Sequence, residues 1–147
     1  MDFQDCIKFA NETRTCYLAT VEGDQPRVRA MGLYSAEETG FYFMTESVKA
    51  LYKQLQNNKK VEVIFHGSGS GPGPGQIMRV SGEIEFVDDI DYRTKVFNER
   101  PFLKGLGVTG PEDHLFVVFR IAIGEAFFWT FADNMKEAEI ERIKFGS

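Results

Sequence analysis

Two arginines lie two residues apart in the segment 26–31, which continues into apolar residues. If the segment is a β-strand, Arg27, Arg29 and Met31 share one face, because side chains alternate along a strand. Two guanidinium groups beside apolar side chains suit an anion with an apolar body, since arginine binds phosphate and carboxylate groups through paired hydrogen bonds. The same residues also fit an edge strand whose arginines form ordinary surface salt bridges.

A second candidate anion site lies at a predicted helix start in the segment 45–49. The N–H groups of a helix N-terminus attract anions, and the hydroxyls of Thr45 and Ser47 can join them. Lys49 would lie in the first helical turn, where the helix dipole disfavours a cation unless an anion compensates. An ordinary N-cap followed by a surface lysine explains the same residues.

Other reactive side chains show no pattern that indicates catalysis. His66 and His114 are far apart in sequence, and Cys6 and Cys16 have no evident activating neighbour. The spacing of these residues resembles no zinc site. The sequence therefore identifies no catalytic residue and predicts no metal site.

The hydrophobic periodicity predicts the elements that would position these residues. Strands are predicted at 17–21, 27–34, 41–44, 60–65, 77–87, 115–123 and 125–131, with the last two hinged at Gly124. Helices are predicted at 2–13, 45–57, 88–98 and 136–143, with a helix fragment in 101–111 and turns at 22–26 and 35–40.

The number and spacing of the strands predict a mainly β fold. Six or seven strands joined mostly by tight turns indicate antiparallel pairing and a small closed barrel, with helices across its open ends. The length of 147 residues and a hydrophobic content of 43% favour one globular domain over residues 1–147.

Two further segments have a structural and a functional interpretation. The glycine-rich run 67–75 matches neither a dinucleotide-binding loop nor a P-loop, so we interpret it as a flexible connection that could cover a site. Trp129 lies in an aromatic run, which is typical of a core or an interface and also of a ligand platform.

Charge and hydropathy exclude several classes of partner. The net charge of −5 disfavours nucleic acid, whose phosphates require clustered Lys and Arg. The N-terminus does not resemble a signal peptide, and no apolar stretch is long enough to span a membrane. We therefore expect a cytoplasmic protein with no membrane partner.

In their order along the chain, these segments resemble the pyridoxamine phosphate oxidase-like family of FMN-binding split barrels. The resemblance covers about residues 11–131 and is strongest to the short, nitroimidazole-resistance-type members. It rests on the segments CYLATV (16–21), PRVRAM (26–31), FYFMT (41–45), SVK (47–49), VEVIF (61–65) and VSGEIE (80–85). It implies a split antiparallel β-barrel of six to seven strands with peripheral helices.

The resemblance also implies a set of cofactor-binding residues. Arg29 and Lys49 match the cations that hold the FMN phosphate, and Trp129 matches a tryptophan that reaches the cofactor from the partner subunit. The implied FMN-binding residues are Arg27, Arg29, Ala30, Met31, Gly32, Phe43, Met44, Thr45, Ser47, Lys49, Gln76 and Trp129.

The function implied by the resemblance is that of an FMN-binding flavoprotein. It would be a homodimer with FMN at the subunit interface, and an oxidoreductase that acts on a small oxidised substrate, with NADH or NADPH as a candidate donor. The true oxidases carry an Arg-x-His element near the C-terminus, whereas none follows Trp129 here. Authentic pyridoxamine phosphate oxidase activity is therefore not expected.

Three alternatives remain at this point. The chain could store or sense flavin without catalysis, or it could be a related barrel that binds haem or a deazaflavin. His66 or His114 would then become candidate haem ligands. The third alternative is an interaction module that has lost its cofactor.

Overall fold

A computed structural model of the protein describes residues 1–67 and 75–147. Most of the predicted flexible connection at 67–75 lies outside the described residues. Within them, the strands are β1 (Thr15–Glu22), β2 (Gln25–Gly32), β3 (Ser35–Glu37), β4 (Gly40–Glu46), β5 (Lys60–His66), β6 (Ile77–Phe86), β7 (Phe116–Trp129) and β8 (Ile143–Phe145).

The helices lie between and around these strands. They are α1 (Phe3–Thr13), α2 (Ala50–Asn57), α3 (Ile90–Glu99) and α4 (Phe102–Gly105), with two 3₁₀ turns at Phe131–Asp133 and Glu137–Glu139. None of the helices in the described ranges is long and apolar enough to cross a membrane.

The strands form one antiparallel sheet in the order β2-β1-β5-β6-β7-β4-β3, with β8 added to β7. No ladder joins β2 to β3 in the described part of the chain, so the sheet is open and the prediction of a closed barrel was wrong. Instead, the chain passes from β2 to β3 through Leu33 and Tyr34, whose N–H groups donate to the Arg14 and Tyr42 carbonyls. The prediction of a mainly β split barrel is confirmed.

Phenylalanine side chains fill the space enclosed by the sheet, which explains their high number in the sequence. Phe41, Phe43, Phe65 and Phe119 are fully buried there. Each buried phenylalanine contributes about 1.5–3 kcal/mol of hydrophobic stabilisation. A second cluster, which includes Phe97 and its neighbours, packs α3 and α4 against the other face of β4 and β7.

Four local predictions differ from the structure. β7 is one continuous strand, because Gly82 and Gly124 allow β6 and β7 to approach so closely that a Cβ on either would collide with the opposite backbone. The predicted turn at 35–40 begins with the short strand β3. The predicted helix at 136–143 is replaced by a 3₁₀ turn and by β8, whose Phe145 is buried against the core.

The fourth difference concerns the helix predicted at 45–57, which begins only at Ala50. Pairing with β7 continues to Glu46, because Glu46 lies opposite Phe116 in the ladder. Thr45 is therefore a strand residue, and Lys49 takes the N-cap position without a capping side-chain hydrogen bond.

Candidate functional site

A groove of about 380 Å³ lies between β2, the end of β4 and α4. It collects five of the residues that the sequence analysis associates with a cofactor. The full lining is Ala30, Met31, Gly32, Leu33, Met44, Glu46, Lys49, Arg100, Phe102 and Leu106. The groove thus combines apolar walls with charged groups near the start of α2.

The walls of the groove leave room for a flat apolar group. A Cβ added at Gly32 would meet no atom within 4 Å, so the space beside this residue is open. On the opposite side, Phe102 and Leu106 of the α4 region are more than half exposed. Exposed apolar side chains that line a concave surface are typical of a ligand site.

Arg29 directly precedes the lining residue Ala30 on β2 but does not itself line the groove, and its guanidinium is held by neutral acceptors. Its Nη1 donates to the Leu18 carbonyl at 3.2 Å and to Thr20 Oγ1 at 2.8 Å, and its Nη2 donates to Gln54 Oε1 at 2.6 Å. No carboxylate in residues 1–67 or 75–147 lies within 4.0 Å of the guanidinium. Burial lowers the pKa of Arg29, because desolvation disfavours its charge. A partly buried cation with no acidic partner is suited to an incoming anion.

Gln54 is a positioning residue that the sequence analysis missed. It lies on α2, is 5% exposed, and its Oε1 accepts from both Arg29 and the Thr20 hydroxyl. Burial of a side-chain amide requires such partners. The sequence offers one indication of this role, because Gln54 is a polar residue next to Leu55 on the predicted buried face of a helix.

The second predicted cation lies in a different electrostatic environment. Lys49 Nζ is 3.1 Å from Glu46 Oε1, and this carboxylate also lines the groove. The Lys49 side chain is 59% exposed, whereas that of Glu46 is 14% exposed. The charge of Lys49 is thus already compensated.

Thr45 carries a buried hydroxyl that the protein does not satisfy. The residue is 1% exposed, and its Oγ1 has no hydrogen-bond partner in the described chain. Most buried polar atoms in proteins have a partner, so such an exception calls for an explanation. A ligand oxygen within reach of the hydroxyl would supply one.

Two neighbours of Thr45, Phe43 and Ser47, make contacts within the protein. The ring of Phe43 is fully buried and stacks on Phe119 with ring centroids 5.4 Å apart. The N–H of Ser47 donates to the Leu115 carbonyl at 3.0 Å. The Phe43 side chain therefore belongs to the core rather than to the groove.

Arg27 lies on the same strand as Arg29 but has an acidic partner. Its Nε and Nη2 donate to Glu22 Oε1 at 3.1 and 2.9 Å, and both side chains are about half exposed. This arrangement matches the salt-bridge alternative considered for the segment 26–31. The structure does not bring Arg27 into the lining of the groove.

Gln76 and Trp129 lie together at the far end of β7. Ile77 pairs with Trp129, and the Gln76 carbonyl accepts from the Gly67 N–H. Met44, in contrast, lies opposite Val118 near the beginning of β7. Neither Gln76 nor Trp129 is among the residues that line the groove of the same chain.

Arg100 is a further lining residue that the sequence analysis did not identify. Its guanidinium stacks over the Tyr34 ring with Cζ 4.8 Å from the centroid, and the Tyr34 hydroxyl donates to Glu99. These contacts fix the end of α3 and place a cation at the α4 side of the groove.

Both cysteine thiols are poorly suited to nucleophilic chemistry in this fold. Burial raises the pKa of Cys6 to about 11 and that of Cys16 to about 12, so both thiols stay protonated near neutral pH. No cluster of His, Cys, Asp and Glu in the described ranges is arranged to hold a metal ion.

The groove offers open space at Gly32 beside the charged side chains of Lys49 and Arg100. Arg29 and Thr45 adjoin lining residues along β2 and β4 but do not line the groove themselves.

Comparisons with known proteins find similar sequences and structures. A family model described as pyridoxamine 5'-phosphate oxidase matches residues 4–130. The structure of a NimC/NimA family protein from Clostridium acetobutylicum is 29% identical, with a TM-score of 0.75 over 97% of this chain and 91% of that chain. A comparison with curated proteins finds no match.

Two more distant structures show the same fold. A FAD-binding protein from Mesorhizobium loti is 20% identical, with a TM-score of 0.66 over 87% of this chain and 94% of that chain. The haem storage protein HutZ from Vibrio cholerae is 16% identical, with a TM-score of 0.64 over 99% and 98% of the two chains. Proteins of this architecture thus include both flavin and haem binders.

Proposed function

We propose that this chain, which belongs to the pyridoxamine 5'-phosphate oxidase family, binds FMN in the groove between β2, β4 and α4. The observation that carries the proposal is the partly buried guanidinium of Arg29, which has neutral partners and belongs to β2, the strand that lines one side of this groove. A phosphate dianion would supply the missing counter-charge through charge-assisted hydrogen bonds.

The other groove residues have distinct proposed roles. The backbone of Ala30, Met31 and Gly32 would run along the ring system, with Met44 as an apolar neighbour. The Thr45 hydroxyl would bond an oxygen of the ribityl chain, which satisfies the orphaned atom. Ser47 and Lys49 would lie near the phosphate, at the start of α2.

The proposed activity is oxidoreduction of a small oxidised substrate, with NADH or NADPH as donor. Bound FMN supplies hydride and single-electron chemistry, while the protein binds, orients and shields it. The absence of an Arg-x-His element after Trp129 argues against authentic pyridoxamine phosphate oxidase activity. The walls formed by Phe102 and Leu106 would admit a flat, largely apolar acceptor.

We further propose a homodimer in which the partner supplies Gln76 and Trp129. The outer face of β1, β2 and β5 supports a second copy, because Tyr17, Ala30 and Ile64 are neighbours there and Val28 is 70% exposed. Apolar faces of this kind usually mark an interaction surface. Trp129 does not line the groove of its own chain, which is consistent with a site shared between subunits.

Mixing two defective variants tests the shared site. Arg29→Ala and Trp129→Ala homodimers should each bind FMN weakly. Each mixed dimer would contain one site with both residues intact. Random exchange of equal amounts makes about half of the dimers mixed, so tight binding should return at about a quarter of all sites. Failure of the mixture to gain any tight site, with exchange shown by native mass spectrometry, would contradict the shared site.

Equilibrium titration followed by turnover tests the function itself. We expect FMN to quench intrinsic tryptophan fluorescence on binding, and bound FMN to be reduced by NADH or NADPH and reoxidised by a nitroaromatic or quinone acceptor. Tight FMN binding without turnover for any donor would favour flavin storage or sensing instead. No FMN binding would overturn the proposal.

A further inference from the structure

Glu46 is an acidic residue inside the groove that the proposed function does not use. It ends β4, its side chain is only 14% exposed, and it lines the groove with Met44 and Lys49. Its Oε1 contacts Lys49 Nζ at 3.1 Å, and the Lys49 N–H also donates to the Glu46 carbonyl at 3.0 Å. The pair is therefore held by both backbone and side-chain contacts.

A phosphate bound near Lys49 would have to compete with this carboxylate. If Lys49 turned to the phosphate, Glu46 would be left mostly buried without its partner. If Lys49 stayed with Glu46, the phosphate would gain little from a neutralised cation. In both arrangements the negative charge of Glu46 opposes the phosphate dianion. Arg100 also lines the groove but lies on its α4 side, whereas Glu46 and Lys49 lie at the end of β4 and the start of α2.

We propose that Glu46 is a specificity-determining residue of the flavin site. By neutralising Lys49, it weakens the binding of the flavin 5'-phosphate and narrows the difference in affinity between FMN and riboflavin. The inference rests on the proposed flavin site. It assigns phosphate binding chiefly to Arg29, whose partners are all neutral.

The test compares a phosphorylated with an unphosphorylated flavin. Kd values for FMN and for riboflavin are measured for the wild-type protein, Glu46→Gln, Lys49→Ala and the double variant. Glu85→Gln is the control, because Glu85 is likewise paired with a basic side chain, Arg120 at 2.7 Å, but does not line the groove.

The proposal predicts a specific pattern of affinities. Glu46→Gln should tighten FMN binding by about tenfold and leave riboflavin unchanged, since one unit charge next to the phosphate is removed. In the wild-type protein, Lys49→Ala should weaken FMN binding by less than about threefold, because an exposed ion pair contributes little. In the Glu46→Gln background, where Lys49 has lost its partner, the same substitution should weaken FMN binding by about tenfold. Glu85→Gln should leave the affinities for FMN and for riboflavin unchanged.

Four results would overturn the inference. The first is an unchanged FMN affinity in Glu46→Gln, and the second is an equal gain for both flavins, which would indicate a role in shape rather than charge. If Glu46→Gln fails to fold, a loss of tenfold or more in Lys49→Ala alone would overturn it as well. Wild-type protein that binds neither flavin would overturn the proposed function and this inference together, whereas the first two results leave the proposed function intact.

Discussion

The two predicted phosphate cations differ in how the fold surrounds them. Arg29 is partly buried on β2, and within residues 1–67 and 75–147 its guanidinium donates to the neutral oxygens of Leu18, Thr20 and Gln54. Lys49 is mostly exposed at the start of α2 and is paired with the carboxylate of Glu46. One site therefore carries an uncompensated positive charge, and the other is close to neutral.

The difference shows that residue type alone does not identify an anion site. Burial of a cation without an acidic partner is costly, and an anionic ligand offsets that cost when it binds. The lowered pKa of Arg29, caused by desolvation, has the same origin. A cation that already has a carboxylate partner gains much less from the ligand. The following substitutions test the comparison, starting with the largest expected effect.

The largest effect is expected at Arg29. Arg29→Ala should weaken FMN binding by about ten- to a hundredfold, since hydrogen bonds to charged groups contribute about 1.5–3 kcal/mol. Isothermal titration calorimetry would measure the loss. Arg27→Ala is the matched control, because Arg27 lies on the same strand but pairs with Glu22 at the surface. Equal losses in the two variants would contradict the contrast between compensated and uncompensated cations.

A single substitution can give Arg29 the same kind of partner as Lys49. Gln54→Glu places a carboxylate at the acceptor that now lies 2.6 Å from Arg29 Nη2. We expect FMN binding to weaken by about tenfold, because the phosphate must then compete for a neutralised cation. Gln56→Glu adds the same charge at an exposed position of α2 and should leave the affinity nearly unchanged. If Gln54→Glu binds FMN as tightly as the wild-type protein, the absence of an acidic partner is not what makes Arg29 the main phosphate-binding cation.

Removing the Thr45 hydroxyl should change stability and FMN affinity in opposite directions. The expected change in affinity is smaller than at Arg29. Thr45→Val removes a buried polar atom that has no partner in the described chain, so the free energy of unfolding should rise by up to about 1 kcal/mol. FMN affinity should fall by about threefold to tenfold, since one hydrogen bond to the ligand is lost. Urea denaturation and an FMN titration measure the two quantities. A fall in stability with unchanged affinity would show that the hydroxyl serves the fold.

The smallest effect is expected at Lys49. Lys49→Ala should change FMN affinity by less than about threefold, because its charge is already compensated by Glu46. Lys53→Ala, an exposed lysine of the same helix, is the control for the loss of overall positive charge. A loss at Lys49 as large as that at Arg29 would remove the distinction between the two cations.

Much of the fold could be predicted from the sequence. Alternation of apolar residues located most strands, and the order of short segments indicated the family, which the match over residues 4–130 confirms. The sequence analysis divided β7 at Gly124, where the structure has one strand. Gly124 is needed because it lies against Gly82 of β6, and this contact between two strands leaves no local pattern in the sequence. The short β8 was missed because its pairing with β7 decides its structure.

The candidate site could be predicted only in part. Residue type and spacing identified Arg29 and Lys49 as candidates, and the family resemblance added the segment 30–32, which lines the groove. The neutral partners of Arg29 come from β1 and α2, which are distant in sequence, so no local pattern shows them. The pairing of Lys49 with Glu46 was missed because the helix was expected to begin before Lys49, whereas β4 continues to Glu46.

The most direct test of the flavin site is the visible absorption spectrum of the purified, untagged protein, with the released chromophore identified by mass. We expect the bands of an oxidised flavin, and FMN as the released compound. A Soret band with released haem would contradict the central claim, as would a colourless protein that does not bind added FMN.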